Sequence, residues 1–134
     1  MARLNLSVVT PTGAVVDTDV DQVDMPGALG EMGILPDHQP ALIMLGGGAL
    51  AYSGGEGGGL VYIRGGVAEV GPGRVLVLTD EASLPGDADR SETEVVLDSV
   101  LKKLDGADAL DEATTLRLNA DRGYAEAILK SAGN

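Results

Sequence analysis

Few residues in this chain could carry out chemistry, and the chain has one histidine. His38 stands between Pro36 and Pro40 in the stretch GALGEMGILPDHQPALIMLGGG, Gly27 to Gly48. An imidazole titrates near neutral pH and can act as a general base, with Asp37 or Glu31 as the orienting carboxylate. A nucleophile is harder to find, because the chain has no cysteine and no serine lies within twelve residues of His38. A partner distant in sequence remains open, but the surroundings suit a surface or interface histidine better than a catalytic one.

Two other patterns invite a ligand. The ladder DTDVDQVD, with Asp17, Asp19, Asp21 and Asp24, begins like a calcium loop, but that loop needs Gly at its sixth place and Glu at its twelfth. Gln22 and Ala28 stand there, so alternating carboxylates on a solvated strand, protecting an edge from unwanted pairing, are the better reading. The glycine runs at 46–48 and 54–59 lack the Lys-Ser/Thr and following helix of a phosphate loop, and also the strand-turn-helix order of a dinucleotide fingerprint. They read as hairpin turns.

The elements that must position these residues fall into two regimes that meet near Ala82–Asp89. All but three of the 20 glycines, those at 106, 123 and 133, precede Asp87. There, LNLSVV, LVYIR, VAEV and RVLVLT are short and rich in branched residues, as strands are, and TPTG, SGGEGGG, RGG and GPG supply tight connections. Short strands joined by short turns leave no room for crossover helices, so an antiparallel sandwich or barrel is expected. After Asp87 the apolar spacing becomes helical. Leu97, Val100, Leu101 and Leu104 share one face, and Ser91 with Glu94 has capping-box spacing. A break at Asp105–Asp108 precedes a second helix from about Asp111 to Ser131, with stripes at Ala113, Leu116, Ala120, Ala127 and at Leu118, Ala125. Small residues bury little area, so the resulting hairpin is expected to be weakly held and detachable.

Composition narrows the partners. The 134 residues suffice for one domain or a small domain with an appendage, and with no Phe and no Trp the core must be aliphatic. A net charge of −12, from 21 acidic and 9 basic residues, argues against nucleic acid and anionic lipid. The absence of cysteine suits a reducing interior. No apolar run approaches the ~18 residues of a membrane span, and the N-terminus lacks a secretory signal's apolar run, so the chain reads as soluble and intracellular.

The segment MPGALGEMGILPDHQPALIMLGGGAL resembles the signature of the epsilon subunit of bacterial F-type ATP synthases, the counterpart of the mitochondrial delta subunit. The family pattern is roughly G-x-x-G-[ED]-x-G-[IV]-L-x-x-H-x-P-x-[LM]-x-x-L-x-x-G, and Gly27, Gly30, Glu31, Gly33, Ile34, Leu35, His38, Pro40, Leu42, Leu45 and Gly48 fit it. LNLSVVTPTGAVV is similar to the family's first hairpin and YIRGGVAEVGPGRVLVLTDEA to its GG-x-x-E-V block, so the likeness covers nearly the whole chain. It implies a ten-stranded antiparallel β-sandwich over residues 1–86 and a regulatory α-helical hairpin over 87–134. It further implies a non-catalytic rotor subunit of the central stalk, peripheral on the cytoplasmic face of the bacterial inner membrane, that couples proton flow to ATP synthesis. The sandwich would grip the gamma subunit through Thr10, His38 and Ile43. Gly30, Glu31 and Met32 would touch the c-ring, and the hairpin would reach the alpha and beta subunits.

The chain departs from that family in the hairpin. Many members bind ATP through a segment like [IL]-D-x-x-R-A-x-x-A-x-x-R. Here the aligned stretch is ADRSETEVVLDS, with Asp89 kept but Glu92 and Ser99 where the arginines belong. Loss of both cations removes the partners of phosphate oxygens, so no cofactor is expected. Inhibition of ATP hydrolysis by an extended hairpin rests on basic residues, and Lys102, Lys103, Arg117 and Arg122 are available. From Asp87 onward, however, 11 acidic residues oppose 6 basic ones, which weakens an insertion among acidic segments.

Two rival readings remain open on the residues alone. One is a free-standing regulatory β-sandwich that binds protein through its hairpin; the other is a small hydrolase resting on His38.

Overall fold

The computed structural model describes residues 3–36, 38–54, 58–106 and 111–132. Eight strands precede two helices: β1 (Leu4–Thr10), β2 (Gly13–Val20), β3 (Gln22–Gly27), β4 (Gly30–Ile34), β5 (Ala41–Ser53), β6 (Gly59–Gly71), β7 (Arg74–Leu78), β8 (Ala82–Ser83), α1 (Arg90–Gly106) and α2 (Glu112–Ala132). The strands pair in the order β2-β1-β7-β6-β5-β3-β4, with β8 added on β6. This is the expected β-sandwich followed by a helical hairpin.

Among the described residues the strands number eight rather than ten, because two runs taken as turns lie inside strands. Gly46–Gly48 sits within β5, and the RGG at Arg64–Gly66 within β6. In each strand the inward-facing phase changes at the glycines. Ile43 and Leu45 face the core before the bend and Leu50 after it, and Val61 and Ile63 give way to Ala68 and Val70. A change of phase moves every later side chain to the other face, which lets one long strand serve both layers of the sandwich. Gly65 and Gly66, at φ +80° and +116°, take up the turn in β6, a region where side chains are disfavoured. One pairing also departs from an all-antiparallel arrangement. β1 runs parallel to β7, with Asn5 opposite Arg74 and Val9 opposite Leu78, because β1 and β7 meet only after the intervening strands have wrapped around the core.

The core is aliphatic, as composition requires. Leu4, Leu6 and Val8 of β1 alternate inward with Val23 and Met25 of β3, Leu50 of β5, and Val75 and Val77 of β7. The acidic ladder behaves as expected at one edge: Asp17 and Asp19 are exposed on β2, the terminal strand of the order, with the Asn5 amide donating to both.

α1 starts earlier than the Ser91–Glu94 spacing suggests, and α2 starts next to the expected Asp111. Asp89 caps α1, its Oδ1 accepting the Glu92 N–H at 2.8 Å while its carbonyl accepts from Thr93 Oγ1 at 2.7 Å. Asp111 caps α2 in the same way, accepting the Thr114 N–H at 2.6 Å. Two oxygens thus satisfy donors that a helix start leaves without partners. The break expected over Asp105–Asp108 begins later, since α1 continues through Gly106, and residues 107 and 108 lie outside the described residues. On α1, Val100 is buried but Leu101 is exposed; on α2, Leu118, Ala125 and Ile128 are buried while Ala113 and Leu116 are exposed. The buried face of α2 is decided by two neighbours, α1 and the sheet, so one periodic stripe could not locate it.

Candidate functional site

Because β5 and β6 change phase, the sheet has two different outer faces. At the bend in β5, Gly47 lies against α2, and on β6 Tyr62 clusters with Tyr124 and Arg64 pairs with Asp121 of the same helix, so Val61, Tyr62 and Ile63 are buried in succession. On the other side of the bends a row of partly exposed apolar residues crosses four strands. Met44 of β5 pairs with Val67 of β6, Val67 with Leu78 of β7, and Leu78 with Val9 of β1. Met44 is 58% and Leu78 49% exposed, and Leu42, one step along β5, is 74% exposed. Leu116 at the near end of α2 lines the same cleft as Met44 and extends the patch. Isolated surface leucines are ordinary, but a contiguous apolar row on a rigid sheet is an interface feature.

A second exposed surface is the β3–β4 hairpin. Gly27 pairs with Gly30 around the two-residue turn Ala28–Leu29, and Leu29 stands fully in solvent. Gly30, Glu31 and Met32 are all exposed on β4, the other terminal strand of the sheet order.

The residues expected to face one partner are not alike. Thr10 closes the β1–β2 turn, its hydroxyl donating to the Gly13 carbonyl at 3.2 Å, one residue beyond the apolar row. His38 is half-buried, with its backbone N–H donating to the Leu35 carbonyl and its ring Nδ1 2.7 Å from the Gln39 carbonyl oxygen. That contact ties the ring to the backbone next to it. Asp37 lies outside the described residues. Ile43 is a correction: it is 8% exposed and belongs to the core. The strand period of two turns it inward, and its neighbours Leu42 and Met44 present the surface instead.

In the hairpin, Asp89 is a helix cap, and Glu92 and Ser99 are exposed on α1. Lys102, Lys103 and Arg117 line one cleft near the end of α1 with Thr114 and Leu118, and Lys102 pairs with Asp98 at 3.0 Å. Arg122 does not join them and pairs with Glu126 at 2.9 Å.

Sequence reasoning missed the junction of sandwich and hairpin. Two of the three tyrosines, Tyr62 and Tyr124, cluster there with Ile128, so the aliphatic expectation holds for the sandwich core but not for this seam. The Ser83 and Tyr124 hydroxyls are hydrogen-bonded at 2.5 Å, 41 positions apart. Burial raises the Tyr124 pKa above its ordinary value, and the Glu81 carboxylate adds to that, while the Ser83 bond and the Arg64 charge work against it. Arg64 Nε lies 2.8 Å from Asp121 Oδ1, and Arg64 Nη1 lies 3.1 Å from Glu81 Oε2. Tyr124, an aromatic in an alanine-rich helix of a chain without Phe or Trp, was the available signal.

Comparison with known proteins agrees with the architecture. The family model for the ATP synthase delta/epsilon chain β-sandwich domain matches residues 3–85. The ATP synthase epsilon chain of Granulibacter bethesdensis is 33% identical over 132 residues, covering 95% of this chain and 98% of that one. The epsilon chain of Halalkalibacterium halodurans is 38% identical over 107 residues, 80% of each. Among solved structures, a chain of the Euglena gracilis mitochondrial ATP synthase, solved with its c-ring, superposes with a TM-score of 0.69 at 24% identity over 99% of this chain and 81% of that chain. On the sandwich match and on relatives that align across nearly its whole length, this chain belongs to the delta/epsilon chain family of ATP synthases.

Proposed function

We propose that this chain is a non-catalytic subunit of the central stalk of an F-type ATP synthase, carried on the rotor and coupling proton movement through the c-ring to ATP synthesis. The observation that supports this best is the apolar row Met44–Val67–Leu78–Val9 on a rigid sheet, in a chain that belongs to the delta/epsilon family. The row offers the gamma subunit an interface with Thr10 at its margin, and Leu42 and Met44 take the place that Ile43 was expected to fill. His38 borders the same end of β5. Residues 1–86 form the binding unit and 87–134 the regulatory hairpin.

The β3–β4 hairpin is assigned to the c-ring. Leu29 and Met32 supply apolar contact and Glu31 a single charge, on a two-residue turn short enough to transmit force. Among the described residues no helix is long and apolar enough to cross a membrane. The chain meets the membrane through the complex, on the cytoplasmic face of the bacterial inner membrane. The cleft of Lys102, Lys103 and Arg117 is the part of this acidic chain suited to an acidic segment of the alpha or beta subunits, and it carries whatever inhibition of ATP hydrolysis the hairpin exerts.

The purified chain, mixed with a catalytic core of alpha, beta and gamma from the same source, is expected to co-elute at one copy per core in size exclusion. Co-elution should fail when gamma is omitted and when Met44→Asp and Leu78→Asp are introduced together. Separate elution of a folded chain would overturn the stalk reading in favour of a free-standing binding module. Co-elution unaffected by the two substitutions would move the gamma interface elsewhere.

A further inference from the structure

Between the sandwich and the hairpin lies a cleft of about 320 Å³. Its lining is unbalanced. Glu81, Asp87, Asp89, Glu92 and Asp121 contribute five carboxylates, and Arg64 is the cation among them. Arg64 is engaged twice, by Asp121 of α2 at 2.8 Å and by Glu81 of the sandwich at 3.1 Å. Both ends of the closer pair are largely shielded, with Arg64 28% and Asp121 18% exposed at the side chain.

One helical turn along α2, the Tyr124 hydroxyl is hydrogen-bonded to Ser83 of β8. β8 is only two residues long and is held by the pairs Tyr62–Ser83 and Ile63–Ala82. The polar contacts of α2 with the sandwich therefore land on two paired strands, β6 and β8, with Arg64 two residues from Tyr62. Beside these polar contacts lies an apolar cluster of Tyr62, Tyr124 and Ile128, with Ala88 and Ala127 packed against it.

We infer that Arg64–Asp121 and Ser83–Tyr124 form a latch that holds the helical hairpin down on the sandwich in this chain without any bound ligand. Its strength comes from shielding. A partly buried ion pair loses more when one partner is removed than an exposed pair does, because the remaining charge stays in a poorly solvated place. Four of the seven ion pairs among the described residues join residues of one helix or of neighbouring strands, and those exposed pairs contribute little. Arg64–Asp121 links the two parts of the molecule, and releasing α2 would leave Arg64 facing Glu81 alone. An anion entering the cleft would have to compete with five carboxylates for the one guanidinium, so anionic ligands do not strengthen the closed form.

The chain's lack of cysteine makes the test direct. Cysteines placed at Thr12 in the exposed β1–β2 turn and at Asn119 on the exposed side of α2 would carry a pair of spin labels on the full chain. The unaltered background is expected to give one narrow distance distribution that is the same with and without millimolar ATP. Arg64→Met combined with Tyr124→Phe should broaden it and speed amide exchange along α2 by at least about tenfold, equivalent to about 1.4 kcal/mol. Sandwich amides in β1 and β3 should be unchanged. Arg64→Lys, which keeps a cation between Asp121 and Glu81, should keep the distribution narrow, which separates loss of the latch from a general effect of substitution at this position. A broad distribution in the unaltered background, narrowing only on addition of ATP, or an Arg64→Met, Tyr124→Phe variant that remains narrow with unchanged exchange, would each overturn the latch.

Discussion

Gly47 of β5 and Gly123 of α2 lie backbone against backbone. A Cβ built on Gly123 would overlap the Gly47 carbonyl group, and one built on Gly47 would lie 2.8 Å from the Tyr124 nitrogen and overlap the Ala120 carbonyl. The helix rests on the strand with no side chain between them at this point, which brings Tyr124 and Asp121 within reach of β6 and β8. Gly123→Ala in an unobstructed helix would add about 1 kcal/mol of stability. Here the expected sign is opposite, a loss of about 1–3 kcal/mol from overpacking against backbone that cannot yield. Urea unfolding, followed by signals from the hairpin, reads the sign directly.

Ile43 and Leu42 give a paired test of the strand register. Ile43 is in the core and Leu42 in solvent. Ile43→Ala is expected to lower stability by about 2–4 kcal/mol, as buried truncations do. Leu42→Ala should stay within about 0.5 kcal/mol of the parent, as surface substitutions do, while weakening co-elution with the gamma-containing core. The reverse pattern would mean that β5 is registered one residue out.

Much of this molecule was legible before its structure. The β-branched runs of β1 and β7 follow a period of two because one face meets the core, and that signal is local. The helices were legible for the same reason, through a period near 3.6. Three things were not. The role of Gly46–Gly48 and Gly65–Gly66 depends on what lies across from them, and a bend within a strand carries the same residues as a turn between strands. The inward direction of Ile43 follows from the phase of β5, and family resemblance assigns positions without fixing phase. The seam of Arg64, Ser83, Asp121 and Tyr124 joins residues that are distant in sequence and individually unremarkable, since an arginine before a glycine pair or an aspartate on a helix is usually solvated. The cap at Asp89 was legible in type but not in place, because Ser91–Glu94 offers the capping-box spacing two residues later.

Asp111 supplies an acid-side test. Its carboxyl titrates below the ordinary aspartate range because the Thr114 side chain and backbone both bond to its charged form. A depressed carboxyl pKa stabilises the fold above the unfolded value, and that contribution is lost as pH falls through the folded value. Amide exchange at the first turn of α2 is therefore expected to be protected at neutral pH and to lose protection only below the usual aspartate range. Asp111→Ala should remove the protection at every pH.

Tyr124 supplies the matching test at alkaline pH. Burial holds its hydroxyl protonated beyond the ordinary tyrosine range. With a raised folded pKa, the neutral form's contribution is complete below the unfolded value, near 10, and is lost as pH rises through the folded value. Ionisation would place a phenolate beside Glu81 and Asp121 and turn the Ser83–Tyr124 bond into a contact with an anion in an already acidic cleft. An absorbance titration of the three tyrosines is expected to show a late step, above the ordinary range, that Tyr124→Phe deletes. In the parent, amide exchange along α2 should accelerate through that same late step while β1 and β3 remain protected. A late step that survives in Tyr124→Phe would assign the shifted hydroxyl to another tyrosine and remove Tyr124 from the seam's alkaline response.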